Sequence, residues 1–129
     1  MVTETKHGVV GGDTHIDDQV LGAIASVAAM EIEGVAGLGE SSIRRSVAEV
    51  VGAAQSKTRG VTVEAGKKEA IVDLRVNIRY GYSIPKIVEQ VRQRVSERLD
   101  SMAGLMAKEI NISIVGIEFE KEERISKVE

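Results

Sequence analysis

The chain contains no cysteine, no tryptophan, one proline and three aromatic residues, which are Tyr80, Tyr82 and Phe119. Without cysteine there is no disulfide framework, no thiolate metal site and no cysteine nucleophile. Three rings are too few for a surface that stacks bases or sugars in series. No apolar run approaches the roughly 20 residues of a membrane-spanning helix, and the amino terminus lacks a signal-peptide pattern. We therefore expect a cytoplasmic location.

The composition is that of an ordinary globular domain. The 129 residues are 43% hydrophobic and 29% charged, with a net charge of -3. Residues 1–43 carry a net charge of -6, residues 44–98 carry +6 and residues 99–129 carry -3. Such complementary blocks can pair within one molecule or between neighbouring molecules, and the charge pattern alone does not distinguish the two.

Hydrophobic periodicity predicts a first helix over residues 17–33, with Asp17 as its N-cap and Gly34 as a left-handed C-terminal cap. A second, weaker helix is predicted over residues 40–57. The residues expected on the buried face of the first helix are Val20, Ile24, Val27 and Ala28.

The rest of the chain alternates between strand and helix patterns. Residues 61–65 and 70–80 have the period of half-buried strands, joined by a turn at 66–69. A long helix follows over 84–102, capped by Ser83 and ended by Gly104, and residues 109–119 form a last strand.

These elements predict one two-layer α+β domain, with helices packed on one face of a three- or four-stranded mixed sheet. We expect residues 1–15 to be a flexible tail or a short edge strand. Residues 16–119 would form the domain, and residues 120–129 a charged tail.

Three stretches together resemble the alkaline shock protein family of bacterial envelope stress proteins, which is related to the Gls general stress proteins. They are residues 16–38, ending in a Glu-x-x-Gly-Val pattern at Glu31 to Val35, residues 60–85, and residues 104–117. The resemblance implies a small cytosolic stress protein, held in some members at the inner face of the membrane by a separate anchoring protein. It implies no known reaction, catalytic residue or cofactor.

The residues themselves offer little chemistry. Asp13, His15, Asp17 and Asp18 have the side chains of a metal site, but they lie in an expected tail, so capping and solvation explain them better. Neither histidine lies beside a plausible serine nucleophile. The Gly34–Gly39 stretch follows a helix, whereas phosphate-binding loops precede one. We therefore expect no catalytic, metal-binding or cofactor-binding residues and no enzymatic activity.

The polar face of the long strand is the candidate interaction surface, consisting of Asp73, Arg75, Asn77 and Arg79. Together with Lys67 and Lys68 it could bind nucleic acid, although interleaved acids and the low number of aromatic rings disfavour this alternative. A solvent-exposed sheet face and unpaired strand edges favour protein association. The sequence therefore predicts a self-associating scaffold or an adaptor for a membrane anchor.

Overall fold

A computed structural model of the chain describes residues 10–39 and 60–119. These residues form two α-helices and four β-strands. In chain order they are α1 (Asp18–Met30), β1 (Val35–Leu38), β2 (Val61–Ala65), β3 (Glu69–Arg79), α2 (Ile84–Arg98), which continues as a π-helical turn over Leu99–Ala103, and β4 (Met106–Glu118).

β3 is the central strand of the sheet. β4 runs parallel to β3 from Glu69, opposite Met106, to Arg79, opposite Glu118. On the other side, β2 pairs antiparallel with the first half of β3 and β1 pairs antiparallel with its second half. The sheet is therefore mixed, since it contains both parallel and antiparallel pairs. A parallel pair needs a crossover connection, and α2 provides it between β3 and β4.

β1 and β2 meet end to end at the middle of β3. The Gly39 amide donates to the Arg75 carbonyl at 2.8 Å, and the Arg75 amide donates to the Gly60 carbonyl at 2.8 Å. Arg75 of β3 thus pairs with both Gly39 and Gly60. β1 and β2 act as one edge strand, which the chain leaves at Gly39 and rejoins at Gly60.

The core lies between the sheet and the two helices. The inner row of β3 is almost fully buried, as the alternation of its sequence predicts, and α1 and α2 cover this face. The predicted two-layer α+β domain with a three- or four-stranded mixed sheet is confirmed, and the described residues supply four strands. The inner row of β3 consists of Ala70, Val72, Leu74, Val76 and Ile78.

α1 has Asp17 at the N-cap position, as predicted, but departs from the prediction in its carboxyl end and in its buried face. It ends at Met30, three residues short of the predicted end, and the Asp17 side chain makes no capping hydrogen bond. Small residues dominate the buried side, because they allow close approach to neighbouring elements. Val20 and Val27 were expected inside but are about half exposed. The buried residues are Leu21, Gly22, Ala25, Ser26, Ala28 and Ala29.

α2 agrees closely with its sequence pattern. The Ser83 hydroxyl accepts from the Lys86 amide, and Pro85 occupies the first turn. Ile87, Val91 and Val95 face the core. The π-helical turn ends at Gly104 in the left-handed conformation that glycine adopts without strain.

The helix predicted over residues 40–57 lies outside the described residues. The same is true of most of the predicted amino-terminal tail and of the carboxy-terminal tail at 120–129. The described elements occupy Asp18 to Glu118, and the predicted domain limits remain a prediction.

Candidate interaction surface

The candidate residues lie on the sheet face opposite α1 and α2, which we call the open face. It comprises the outward row of β3 and the residues beside that row on β2 and β4. Asp73 and Arg75 are exposed on it, and Arg79 is exposed at the end of β3. The neighbours that the strand register places beside this row are Thr62, Glu64, Glu109, Asn111, Ser113 and Glu118.

Asp73 is held in place by the neighbouring strand. The Asn111 side chain donates from Nδ2 to Asp73 Oδ1 at 2.9 Å, and more weakly to Glu109 Oε1 at 3.5 Å. The parallel register makes this contact, because Asn111 lies directly opposite Asp73. The hydrogen bond holds one carboxylate of the surface in a defined orientation.

Asn77 was expected to be exposed on the same face, and this expectation is wrong. Asn77 is 1% exposed, and its Nδ2 donates to the Gly39 carbonyl at 3.0 Å. Gly37 and Gly116 flank it on the two neighbouring strands. A buried amide must satisfy its hydrogen bonds inside the protein. Asn77 therefore joins β3 to the end of β1 instead of offering a contact to a partner.

Among the described residues, Arg75 and Arg79 are the cations on the outward row of β3. The backbone of Arg75 is paired with Gly39 and Gly60, which carry no side chains. The Arg79 amide donates to the Gly34 carbonyl at 2.8 Å. On the β4 side, Ser113 lies beside Arg75.

Acidic residues share the open face with these two arginines. The register puts Glu64 and Glu109 at one end of the face, Asp73 between them and Arg75, and Glu118 beside Arg79. A nucleic-acid surface needs clustered positive charge. The open face instead has an acidic part and a basic part, which suits a protein surface with the opposite order of charge.

The three aromatic residues of the chain follow the carboxyl ends of β3 and β4, and two of them stack, which the sequence did not predict. Tyr80 follows β3 and Phe119 follows β4, and their rings stack with centroids 5.0 Å apart at 24°. The Tyr82 hydroxyl donates to Glu33 Oε2 at 3.3 Å. Because β3 and β4 are parallel, their carboxyl ends share an edge of the sheet, and this topology brings Tyr80 and Phe119 together.

An ion-pair cluster links the end of α1 to α2. Glu31 Oε1 accepts from Arg94 Nη1 and from Arg98 Nη2, each at 2.7 Å, and Oε2 accepts from Arg98 Nη1 at 3.0 Å. A carboxylate at a helix C-terminus is unfavourable on its own. The hydrogen bonds from Arg98 and then Arg94 favour the ionised form of Glu31 and hold its pKa below its ordinary value of 4.5.

We expect Glu31→Gln to lower the midpoint of thermal unfolding at neutral pH and to have little effect in strong acid. A lowered pKa in the folded state stabilises the fold above the ordinary pKa, and this contribution disappears as the pH falls through the folded value. Thermal unfolding followed by circular dichroism across this pH range measures the effect. The control is Glu89→Gln on α2, since Glu89 forms no ion pair within the described ranges. An equal loss at neutral and acidic pH would contradict this account.

A shallow groove between α2 and β4 has a volume of about 570 Å³. Arg92 lines it and donates from Nε to the Ile110 carbonyl at 3.0 Å, so it covers part of the β4 edge. Of the described residues, the groove brings together charged and amide side chains with Ser96, but no histidine or second hydroxyl. Across residues 10–39 and 60–119, no group of three or more His, Asp or Glu side chains could hold a metal ion, and Asp13, His15, Asp17 and Asp18 form none.

Solved structures share this fold. A variant of MamM CTD superposes with a TM-score of 0.52 at 12% identity, covering 78% of this chain and 95% of that one. The nickel form of another MamM CTD variant gives the same TM-score and identity, with coverage of 78% and 99%. At this identity the likeness concerns the fold alone. Neither helix of the described ranges has the length and apolar character to cross a membrane.

The sequence comparisons define the family. The model of the alkaline shock protein 23 family, described by a cell envelope-related function, matches residues 7–119, so the chain belongs to this family. An uncharacterized protein of Bacillus subtilis, YqhY, is 33% identical over 109 residues, which are 84% of this chain and 79% of YqhY.

A second set of relatives comes from Streptococcus pyogenes. A protein named stress response regulator gls24 homolog is 28% identical over 119 residues, or 92% of this chain. The match covers 66% of that streptococcal protein. The resemblance found in the sequence to alkaline shock and Gls proteins is thereby confirmed.

Proposed function

We propose that this protein is a non-enzymatic component of an envelope-related stress response that acts by self-association. In this role it is a scaffold, or an adaptor that a separate membrane-anchoring protein recruits to the inner face of the cell membrane from the cytoplasm. Family membership supports the envelope-related role. The name of the streptococcal relatives supports the link to stress.

One observation carries the proposal of self-association. The open face has no covering helix in the described part of the chain, since α1 and α2 both pack on the other side, and it carries charges of both signs, of which Asp73 is held by Asn111. A surface with an acidic part and a basic part is complementary to a second copy of itself when the copies meet around a two-fold axis. Arg75 and Arg79 supply the cations of this surface, and Asp73 supplies an oriented anion.

We expect the double variant Arg75→Glu/Arg79→Glu to shift the protein toward the 13.9 kDa monomer. Like charges would then face each other across the contact, and thermal unfolding followed by circular dichroism checks that the variant keeps its fold. Size-exclusion chromatography with light scattering, at several concentrations and at low and high salt, measures both proteins. The unaltered chain should associate more strongly at low salt.

A matched control reverses two cations outside the strand rows that define the open face, Lys67→Glu in the turn between β2 and β3 and Lys86→Glu on α2. It changes the net charge equally and should associate as the unaltered chain does. Unchanged assembly of the Arg75/Arg79 variant would remove the open face from the proposal. Co-elution of the unaltered chain with nucleic acid as a salt-sensitive monomer would contradict self-association. Such co-elution is easily detected, because the chain has no tryptophan and two tyrosines and absorbs weakly in the ultraviolet.

A further inference from the structure

The side of β4 that faces away from β3 is an open strand edge. The Tyr80 amide donates to the Glu118 carbonyl and the Met106 amide donates to the Lys68 carbonyl, each at 2.9 Å, so the outward row of β4 is the row bonded to β3. Successive residues of a strand direct their backbone groups to opposite sides. The inner-row residues of β4 therefore direct theirs to the open side. We call these residues the β4 edge: Ala107, Ile110, Ile112, Ile114 and Ile117.

The β4 edge has little of the protection that exposed strand edges usually have. Residues 110–117 include no charged residue and no proline, whereas natural edge strands are commonly blunted by Lys or Pro. Among the described side chains, Arg92 alone is bonded to this edge, at the Ile110 carbonyl, which keeps a second lone pair. The inner-row side chains become more exposed along β4, from 9% at Ile110 to 49% at Ile117. Unpaired backbone groups beside apolar side chains fit an added strand.

The register of the sheet shows how a second β4 would align with the first. β4 pairs with β3 from Glu69 to Arg79, and Ile112 lies opposite the middle residue of this range, Leu74. A two-fold axis at Ile112 therefore overlaps two antiparallel β4 strands over their whole paired length. It sets Ile110 against Ile114 of the second copy. The stretch from Ile110 to Ile114 would form the ladder, because the register of β4 is regular there.

The same axis joins a projection to a recess. The groove between α2 and β4 is lined by Ala107 and Ile110, and it lies along the first half of β4. Ile117 projects from the second half, and Ala107 and Ile117 lie four ladder positions from Ile112 in opposite directions. The axis therefore brings Ile117 of each copy to the groove of the other. One edge carries both parts, as a two-fold contact requires.

The charges along β4 allow this alignment. Counted by their partners on β3, Glu109 comes opposite Gly116 of the second copy and Glu118 comes opposite its Met106. Lys108 lies at a shift in the register and comes beside the same Gly116. On α2, Glu89 and Arg92 line the groove with opposite charges. Among the described residues of β4 and of the groove, no like charges come opposite each other.

We propose that the β4 edge is a contact between two copies of this chain, paired antiparallel about a two-fold axis at Ile112. The two four-stranded sheets then continue as one. This inference rests on the proposed self-association and assigns to it a second surface, at the rim of the sheet. Because backbone hydrogen bonds and apolar side chains make this contact, it should persist at salt concentrations that weaken the charged contact on the open face.

Disulfide trapping at high salt tests the alignment, since the chain contains no cysteine of its own. Asn111 would lie opposite Ser113 of the second copy in a non-hydrogen-bonded pair, with Cα atoms about 4.5 Å apart, which a disulfide can span. We expect a mixture of the Asn111→Cys and Ser113→Cys variants to form several-fold more disulfide-linked dimer than either variant alone.

The control mixture is Asn111→Cys with Thr62→Cys. Thr62 is exposed on β2, on the same open face but away from the β4 edge. Equal yields from the two mixtures would mean that the disulfides form across the open face, and would overturn the β4 contact.

A charge placed on the β4 edge tests the contact without cysteine. Ile117→Lys should keep the fold, checked by circular dichroism, while weakening association at high salt at least tenfold in light scattering. Val20→Lys is the matched control, because Val20 on α1 is also 49% exposed and receives the same charge. Unchanged association of the Ile117 variant, or equal weakening by both variants, would overturn the β4 contact.

The outcomes separate this contact from the proposed self-association. Association that survives Ile117→Lys but is lost in the Arg75→Glu/Arg79→Glu variant would overturn the β4 contact and leave the open face. An unaltered chain that is monomeric at all concentrations and salts would overturn both. A monomer whose Ile112 and Ile114 amides are protected from hydrogen exchange would assign the β4 edge to another segment of the same chain, and so would also overturn the contact.

Discussion

Gly60→Ala should unfold at a markedly lower denaturant concentration, with a loss of about 3 kcal/mol in the free energy of unfolding. Gly60 has a φ of +79°, where a residue with a side chain is strained. An added Cβ would also overlap the Gly39 amide nitrogen and lie 2.6 Å from Gly39 Cα. Both neighbours belong to the backbone that holds β1 and β2 on Arg75, so neither can move without breaking a ladder hydrogen bond.

The Gly81→Ala variant separates the two causes of this loss, which are the positive φ and the overlap of the added Cβ with Gly39. Gly81 also has a positive φ, of +103°, but nothing lies within 4 Å of the position of its Cβ. Its alanine variant should lose about 1–2 kcal/mol, the cost of the backbone conformation alone. The difference between the two variants in urea unfolding measures the close approach of Gly39 and Gly60. Equal losses would mean that the two segments are not in contact in solution.

Gly116→Ala should cost about 2 kcal/mol for a reason that does not involve its backbone conformation. The glycine lies opposite Asn77 on β4, and a Cβ there would overlap Asn77 Oδ1. Since Asn77 is buried and bonded to the Gly39 carbonyl, its amide cannot turn aside without losing that bond. In the alanine variant, therefore, either β4 must shift or the hydrogen bond from Asn77 to the Gly39 carbonyl must break.

A double-mutant cycle isolates this contact. Asn77→Ala alone should cost about 1–3 kcal/mol, because the Gly39 carbonyl is left without its donor. In the Asn77→Ala background, Gly116→Ala should be nearly neutral, which gives a coupling of about 1 kcal/mol or more between the two sites. Additive losses in urea unfolding would show that the Asn77 side chain does not occupy the space beside Gly116.

The long-strand pattern was the most informative part of the sequence. Strict alternation from Ala70 to Ile78 identified the inner row of β3, because only a strand with one buried face keeps a period of two for so long. The parallel pairing of β3 with β4 did not follow from the sequence. Pairing depends on contacts between segments distant in the chain, and hydrophobic alternation is the same in parallel and antiparallel edge strands.

α1 shows where periodicity fails. Its residues are apolar on all sides, so a ranking by hydrophobicity selects the larger Val20 and Val27 for the core. The fold instead buries Ala25 and Ala29 beside the correctly predicted Ala28, because their size permits close packing. The run of small residues in the sequence indicates that α1 packs closely against another element. Only the neighbouring elements show which side of α1 makes this close contact.

The candidate surface could be predicted only as a row of alternating residues. Asp73, Arg75 and Arg79 are exposed as the alternation requires, but Asn77 is buried on the same row. Its burial follows from the Gly39 carbonyl and from the glycines beside it, which come from two other strands. No local pattern in the sequence of β3 encodes those neighbours.

The junction of Gly39 and Gly60 makes this position of the edge strand a natural insertion point. Two chain ends that touch can be joined by segments of very different length, since the entropy cost of closing a loop grows only with the logarithm of its length. The hydrogen bonds of Arg75 to both glycines stay the same whatever lies between them. The intervening stretch can therefore change in length while the sheet and its core keep their geometry.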